Sequence, residues 1–339
     1  MRFFGLLPFH AAAAFLKEED GRESLAVGGQ ALLEGVMMRN GDRLALAVRK
    51  TDGTIVSHTL PWSVLFRGGV VKKPWLRGFP VLLETMVNGI KALNLSADIA
   101  AESEGEAIKP WQMALTLAVA IGLALLLFVV TPHLLTVLLG SFSLAGGMEG
   151  LSFHVWDGLL KFGMFVGYIA LISRMPDIRR VFEYHGAEHK TIAAYEDGED
   201  PVNVESAGRH SRLHPRCGTT FLLFVLSLSI LLHAVFVPVF LLVWNPENAV
   251  IRHGVVLVFK LLLMVPISAA AYELIRMAAK LSGSLGTALR APGLLLQRLT
   301  TREPDASQLE VGLVALSEAL GEDAGAAVVP PAFTRLERS

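Results

Sequence analysis

The sequence predicts a membrane α-helical protein, with about four transmembrane helices and an α+β cytoplasmic region containing an N-terminal β-hairpin unit. Three observations carry this. Hydrophobic residues make up 53% of the 339 and mean hydropathy is +0.50, too apolar for a soluble globular chain. Long apolar runs recur through its middle, and the stretches around them alternate between period-two and helical patterning. The formal net charge of -1 comes without a strongly basic domain, so nothing points to DNA as a partner.

The first run, Trp111 to Thr131, is uncharged and has the length of about 20 residues that crosses a hydrocarbon core. Phe153 to Arg174 is the second, with Asp157 and Lys161 near its start. Thr219 to Trp244 is the third, with His233 and Pro238 inside, and His253 to Arg276 the fourth, with Lys260 and Pro266 inside. Internal prolines are tolerated in membrane helices because neighbours satisfy the freed carbonyls. Between the second and third runs lie Arg174, Arg179, Arg180, Lys190, Arg209, Arg212 and Arg216. The loop after the first run has no Lys or Arg, and that after the third has Arg252 alone. Positive charge therefore marks the central loop as cytoplasmic, and an even number of spans puts both termini on that side. Met1 to Leu16 is apolar but runs into Lys17-Glu18-Glu19-Asp20 without a cleavage site, which suits a surface-associated segment better than a signal peptide.

Residues 1–23 form a variable leading segment. In residues 24–110, Arg43 to Arg49 places Leu44, Leu46 and Val48 on one face, and Asp52-Gly53 supplies a turn before Thr54 to Leu60: a β-hairpin. Ala31 to Met38 adds a strand. Gly28-Gly29 and Gly35 indicate close-packed backbone and do not make a GxGxxG phosphate loop. From Pro80 to Ser96, Leu82, Leu83, Met86, Val87, Ile90 and Leu93 recur at helical spacing, ahead of a linker from Ala101 to Pro110. Residues 111–174 and 219–276 carry the spans, and 175–218 form the central loop. In residues 277–320, Asp305 and Gln308 make a capping box before a face of Leu309, Leu313, Leu316 and Leu320. Residues 321–339 read as disordered.

Chemistry concentrates in Phe182-Glu183-Tyr184-His185-Gly186-Ala187-Glu188-His189-Lys190 and in His214-Pro215-Arg216-Cys217-Gly218. On a helix started by Asp177 as N-cap, His185, Glu188 and His189 share one face, the His-x-x-Glu-His spacing in which two imidazoles flank a carboxylate. His214 and the single cysteine, Cys217, add donors, and Glu196 and Glu205 are further acids within reach. Imidazole and thiolate suit a divalent metal, zinc foremost. Ligation by His185, His189 and His214 leaves a fourth position open and makes Glu188 a general base, hence a hydrolase; a fourth bond from Cys217 closes the site and makes it structural. The plainer alternative is a hydrogen-bonded histidine cluster with Cys217 as a small buried residue. One cysteine excludes an internal disulfide and agrees with a reducing compartment.

Further polar residues sit in apolar surroundings. Gln30, Glu34 and Arg39 either reach the metal cluster or a substrate, or form a structural Glu34–Arg39 ion pair. Asp157, Lys161, His233 and Lys260 all fall in the outer half of the membrane. They either gather into an internal polar cluster or leave the lysines to snorkel to headgroups. Arg67, Lys72, Lys73 and Arg77, interleaved with Phe66, Trp75 and Phe79, read as a contact to membrane lipids or an ordinary positive-inside flank.

The strings Gly28 to Arg39, Phe182 to Lys190, His214 to Gly218, and Pro292-Gly293 through Leu299-Thr300-Thr301-Arg302-Glu303-Pro304-Asp305 together resemble the YqhQ-like family over most of the chain from Ala26 to about Leu320. The resemblance implies a multi-pass protein of a bacterial cytoplasmic membrane and a domain of unknown function carrying the label of a predicted metal-dependent enzyme. The expectation is a metal-dependent, hydrolytic activity at the inner membrane face. The competing classes are a non-catalytic scaffold contacting protein-insertion machinery or a ribosome, and a small transporter, for which four spans are few unless the chain forms a homo-oligomer.

Overall fold

In the computed structural model, which describes residues 27–69, 73–102, 110–281, 283–321 and 333–335, the chain opens with a β-meander. Strands β1 (Gly28–Leu32), β2 (Gly35–Asn40), β3 (Arg43–Arg49) and β4 (Ile55–Pro61) pair antiparallel in order, and β5 (Phe333–Arg335) adds in parallel beside β4. The β3–β4 hairpin turns at Asp52-Gly53, where Asp52 Oδ1 accepts from the Thr54 N–H at 2.8 Å. Ala31 to Met38, expected as one strand, is two. The chain reverses at Leu33-Glu34, where Glu34 takes φ 53°, and Leu32 pairs with Gly35. Gly35 is required there: a Cβ would lie 2.4 Å from the Ala47 carbonyl oxygen. Of the tail expected to be disordered, Phe333–Arg335 form β5 on the sheet edge, and residues 322–332 and 336–339 lie outside the described residues. The leading segment 1–23 lies outside the described residues.

Both faces of the sheet are covered, which explains why its strands are so uniformly apolar. Val36, Met38, Ala45 and Ala47 face a core shared with α5 (Pro176–Glu196), α6 (Val204–Arg209) and α10 (Ala306–Leu320). Their neighbours Met37, Leu44, Leu46 and Val48 face α1 (Gly78–Glu102), where Ala92 and Ile99 are buried. The helix expected from Pro80 to Ser96 is thus longer at both ends.

Among the described residues four helices are long and apolar enough to cross a membrane: Ala114–Ser141, Leu151–Ile172, Gly218–Val243 and Ala249–Ala278. The first runs beyond the expected end at Thr131. α2 (Pro110–Leu125) passes through a π-turn at Leu126–Val130 into α3 (Thr131–Ser141), with Pro132 in the first turn of α3. Proline lacks an N–H, and the widened turn absorbs the break; Thr131 Oγ1 donates to the Leu126 carbonyl at 2.8 Å. α4 (Leu151–Ile172) and α7 (Gly218–Val243) follow the expected limits closely. α8 (Ala249–Lys280) begins a turn before His253 because Asn248 caps it, accepting from the N–H groups of Val250 and Ile251. α9 (Gly283–Thr300) then packs on the start of α7 so tightly that a Cβ on Gly293 would lie 2.2 Å from Thr220 Oγ1. Sheet, α5 and α10 sit at the end where α4 stops and α7 starts. The loops after α3 and α7 lie at the opposite end.

Candidate metal centre

Helix α5 carries the first half of the site. Its N-cap is Met175, with Pro176 opening the helix and Asp177 in the first turn rather than at the cap. Ile178 and Phe182 pack on Ile172, and every residue from Tyr184 to Ile192 is buried. The segment leaving α9 crosses α5 at Gly186, where a Cβ would sit 2.0 Å from the Arg302 carbonyl oxygen. That crossing is pinned by the Arg302 N–H donating to the Phe182 carbonyl at 2.8 Å.

Two backbone carbonyls fix the imidazoles. His185 Nδ1 lies 2.7 Å from the Thr300 carbonyl oxygen, and His189 Nδ1 lies 2.6 Å from that of Arg212. A carbonyl only accepts, so each Nδ1 carries the hydrogen and each Nε2 keeps its lone pair. His185 Nε2 approaches Cys217 Sγ at 3.3 Å, and one donor atom from each of His185, His189 and Cys217 lies within 4.8 Å of the others. Cys217 is the N-cap residue of α7, and the Thr219 hydroxyl donates to its sulfur at 3.3 Å. Burial pushes the Cys217 thiol up to about 12 and holds the His185 imidazole down at about 4, against the opposing pull of the Thr300 carbonyl.

Glu188 lies on the same buried stripe. Its carboxyl packs on β1, burial raises it well above the usual carboxylate range, and Oε2 has no hydrogen-bond partner. His214 stands beside the group without joining the converging donors. Its ring centroid is 5.6 Å from that of His189, while Nε2 meets Glu196 Oε2 at 3.3 Å and Arg216 pairs with the same carboxylate. Gln297 holds the His214 backbone at both ends, accepting from its N–H and donating to its carbonyl, each at 2.8 Å. Burial lowers the His214 imidazole to about 4, although Asp197 pulls the other way.

The N-terminal residues take other partners than expected. Gln30 points away from the histidines toward α1, where a Cβ on Gly89 would meet its Oε1 at 2.4 Å. The Glu34–Arg39 ion pair does not form, because the two residues bracket opposite ends of β2. Glu34 instead pairs with Arg180 and lies 3.4 Å from the Tyr184 hydroxyl. Arg39 Nε donates to the Gly41 carbonyl at 2.7 Å, and its guanidinium stacks 3.6 Å over Trp62. Burial lowers Arg39 to about 10 in spite of nearby Asp42 and Glu84. Of the basic run, Arg77 is bound to Glu273 at 2.7 Å, Trp75 and Phe66 are exposed, and Lys72 lies outside the described residues.

Within the apolar helices the lysines do not snorkel. Lys260 and Lys161 are 1% and 7% exposed, too little for either ammonium to reach headgroups, and both meet Asp157 Oδ2, at 3.0 and 3.4 Å. Buried His233 joins this layer from α7 with neither ring nitrogen hydrogen-bonded. Two histidines missed by the sequence reading complete the layer. His133 Nδ1 lies 3.2 Å from Lys260 Nζ, and His133 Nε2 lies 3.0 Å from His253 Nδ1. The one signal available for either was a histidine beside a long apolar run.

A family described as a protein of unknown function (DUF1385) matches residues 73–322, from the start of α1 to the end of α10. The chain belongs to this YqhQ-like family. The "Uncharacterized protein YqhQ" of Bacillus subtilis (strain 168) is 34% identical over 311 residues, 87% of this chain and 92% of its own length. No solved structure matches the chain. The family match contains every donor of the cluster, whereas β1 to β4 precede it.

Proposed function

We propose that this is a multi-pass protein of a bacterial cytoplasmic membrane that holds one divalent cation, zinc by donor chemistry, and acts with it as a hydrolase on the cytoplasmic side. One observation carries the reading: two imidazoles, each with Nδ1 committed to a backbone carbonyl, and a thiol bring one donor atom each within 4.8 Å of one another. Mixed nitrogen and sulfur donors fit a borderline first-row ion, and the carbonyl contacts are the outer-shell bonds that orient metal-ligating histidines. His185, His189 and Cys217 would hold the ion, which would supply Lewis-acid chemistry there. Glu188 is the proton carrier. Burial raises its carboxyl well above the usual carboxylate range and one oxygen has no protein partner, so it can hold a proton, pass it to a leaving group and recover one from water. The arginine-rich central loop supports the cytoplasmic placement. Exposed Phe66 and Trp75 beside Arg67 and Lys73 support contact with anionic lipid.

The burial of the donors favours a second reading. His185, His189 and Cys217 are 0%, 2% and 5% exposed, so an ion among them would clamp α5 to the start of α7 without meeting a substrate. In that case the protein is a scaffold whose rigid platform serves a partner. Elemental analysis of detergent-purified protein tests both. One equivalent of zinc is expected, lost in Cys217→Ser and in His185→Ala and kept in Glu188→Gln. Wild-type protein that takes up no zinc when supplied with it ends the metal reading. Full zinc with unaltered cellular function in Glu188→Gln selects the clamp.

A further inference from the structure

The apolar helices hold a second set of titratable groups, far from the metal centre. Lys260 on α8 touches Asp157 Oδ2 at 3.0 Å and His133 Nδ1 at 3.2 Å, and lies 5.6 Å from the Phe153 ring centroid. Lys161 shares the same carboxylate oxygen. The facing groups are Asp157, Lys161 and His154 on α4, His133 on α3, His233 on α7 and His253 on α8, with the Arg252–Glu149 pair near the loops. Two ammonium groups against one carboxylate leave an excess positive charge where desolvation penalises it most. Discharging one lysine removes that excess. Among the described residues Lys161 has one polar contact, to Asp157, whereas Lys260 stands at the head of a hydrogen-bonded path.

We propose that Lys260 is a proton-binding site served by a histidine relay, exchanging its proton through His133 and His253 with the compartment at the loop ends of α3 and α7. The Lys260 ammonium, which only donates, fixes the direction of every bond. A Lys260 ammonium donates to His133 Nδ1, so His133 carries its hydrogen on Nε2 and donates to His253 Nδ1, 3.0 Å away. His253 then carries its hydrogen on Nε2. For release, Lys260 passes a proton to His133 Nδ1, His133 Nε2–H passes to His253 Nδ1, and His253 gives its Nε2 proton to water. Lys260 ends as a neutral amine and both imidazoles end neutral with their tautomers reversed. One proton leaves, and Asp157 with Lys161 remains as a balanced pair. Uptake is the same sequence reversed.

The path opens to one side. His253 is half-buried, a turn into α8, and Lys260 follows two turns deeper. Inward of the Asp157–Lys161 pair no described titratable group continues the hydrogen-bonded chain, for Lys161 ends on Asp157 Oδ2, both His233 nitrogens have no hydrogen-bond partner and Ser229 is bonded to the Leu226 carbonyl. The arrangement therefore stores a proton and does not conduct one.

Full-length protein in liposomes on a solid-supported membrane tests this by a step from about pH 9 to about pH 6, which raises the proton concentration about a thousandfold. A transient charge displacement without a steady current is expected. It should be lost in Lys260→Gln and in His133→Leu, and slowed in His253→Ala, whose half-buried position spares the packed core should the other variants fail to fold. A transient unchanged in folded His133→Leu or in His253→Ala overturns the relay, as does its absence from folded wild-type protein. A steady proton current overturns the one-sided site.

Discussion

Gly29 on β1 lies against Glu188 on α5, and a Cβ added to Gly29 would come within 2.7 Å of both Cγ and Oε1 of that carboxyl. The sheet therefore closes one wall of the metal centre with bare backbone. Gly29→Ala forces either the strand or the carboxyl to move, and overpacking of this kind costs about 1–3 kcal/mol. Denaturant unfolding in detergent should show that loss. Gly122→Ala, with nothing within 4 Å, should not. Equal stability of the Gly29 variant and wild type would mean that β1 does not press on α5.

Gln297 is the second support, reached from α9. It satisfies the N–H and the carbonyl of His214 at once and is fully buried. Gln297→Leu leaves two buried backbone groups unpaired, for a loss on the order of 3 kcal/mol. The turn carrying Cys217 should loosen with it, so a maleimide should label the single cysteine faster than in wild type. Unchanged labelling would separate Gln297 from the site.

Local patterns made part of this readable. The four apolar helices, the Asp52-Gly53 hairpin and the Asp305/Gln308 cap are written in contiguous residues, and the structure has all three. The shared face of His185, Glu188 and His189 was equally plain, since helical spacing alone sets it. What failed was pairing across distance. Glu34 meets Arg180 and not Arg39 because a positive φ at Glu34 ends one strand and starts the next, which no period reveals. His214 turns toward Glu196 because Gln297 fixes its backbone from another helix. His133 was missed because the first run was ended at Thr131, at the length of about 20 residues that crosses a hydrocarbon core, whereas the helix continues to Ser141 through a π-turn that only the folded backbone displays.

Zinc uptake should depend on pH through Cys217. Its buried thiol, pushed up to about 12, keeps its proton at neutral pH, while the metal takes the thiolate. Binding thus releases one proton, and affinity should rise about tenfold for each pH unit below the thiol's own value. His185, held down at about 4, is already neutral and adds nothing to the slope near neutrality. Chelator competition at several pH values reads it directly. Any zinc that Cys217→Ser still takes up from excess metal, too weakly to survive purification, should show a flatter dependence. The same slope in that variant would mean that the sulfur is not a ligand.

Helix α10 fills the core beneath the sheet and follows directly on the segment of chain that crosses α5. Asp305 caps it in a reciprocal box, accepting from the Gln308 N–H at 2.9 Å while the Gln308 side chain accepts from the Asp305 N–H at 3.0 Å. Burial pushes the Asp305 carboxyl up, but the Ser307 hydroxyl, the N–H groups of Gln308 and Ser307 and the charge of Arg180 together bring it below its ordinary value. A carboxyl depressed in the folded state stabilises the fold above its unfolded pKa, and that contribution disappears as pH falls through the folded one. Asp305→Ala should cost about 1 kcal/mol at neutral pH, the usual worth of an N-cap. Asp305→Asn keeps the cap and drops the charge, so it should lie close to wild type in acid and fall below it as pH rises to neutral. Unfolding midpoints of the three proteins at acid and neutral pH decide the matter. A gap between Asp305→Asn and wild type that does not change with pH would show that the carboxylate's charge contributes nothing to the cap.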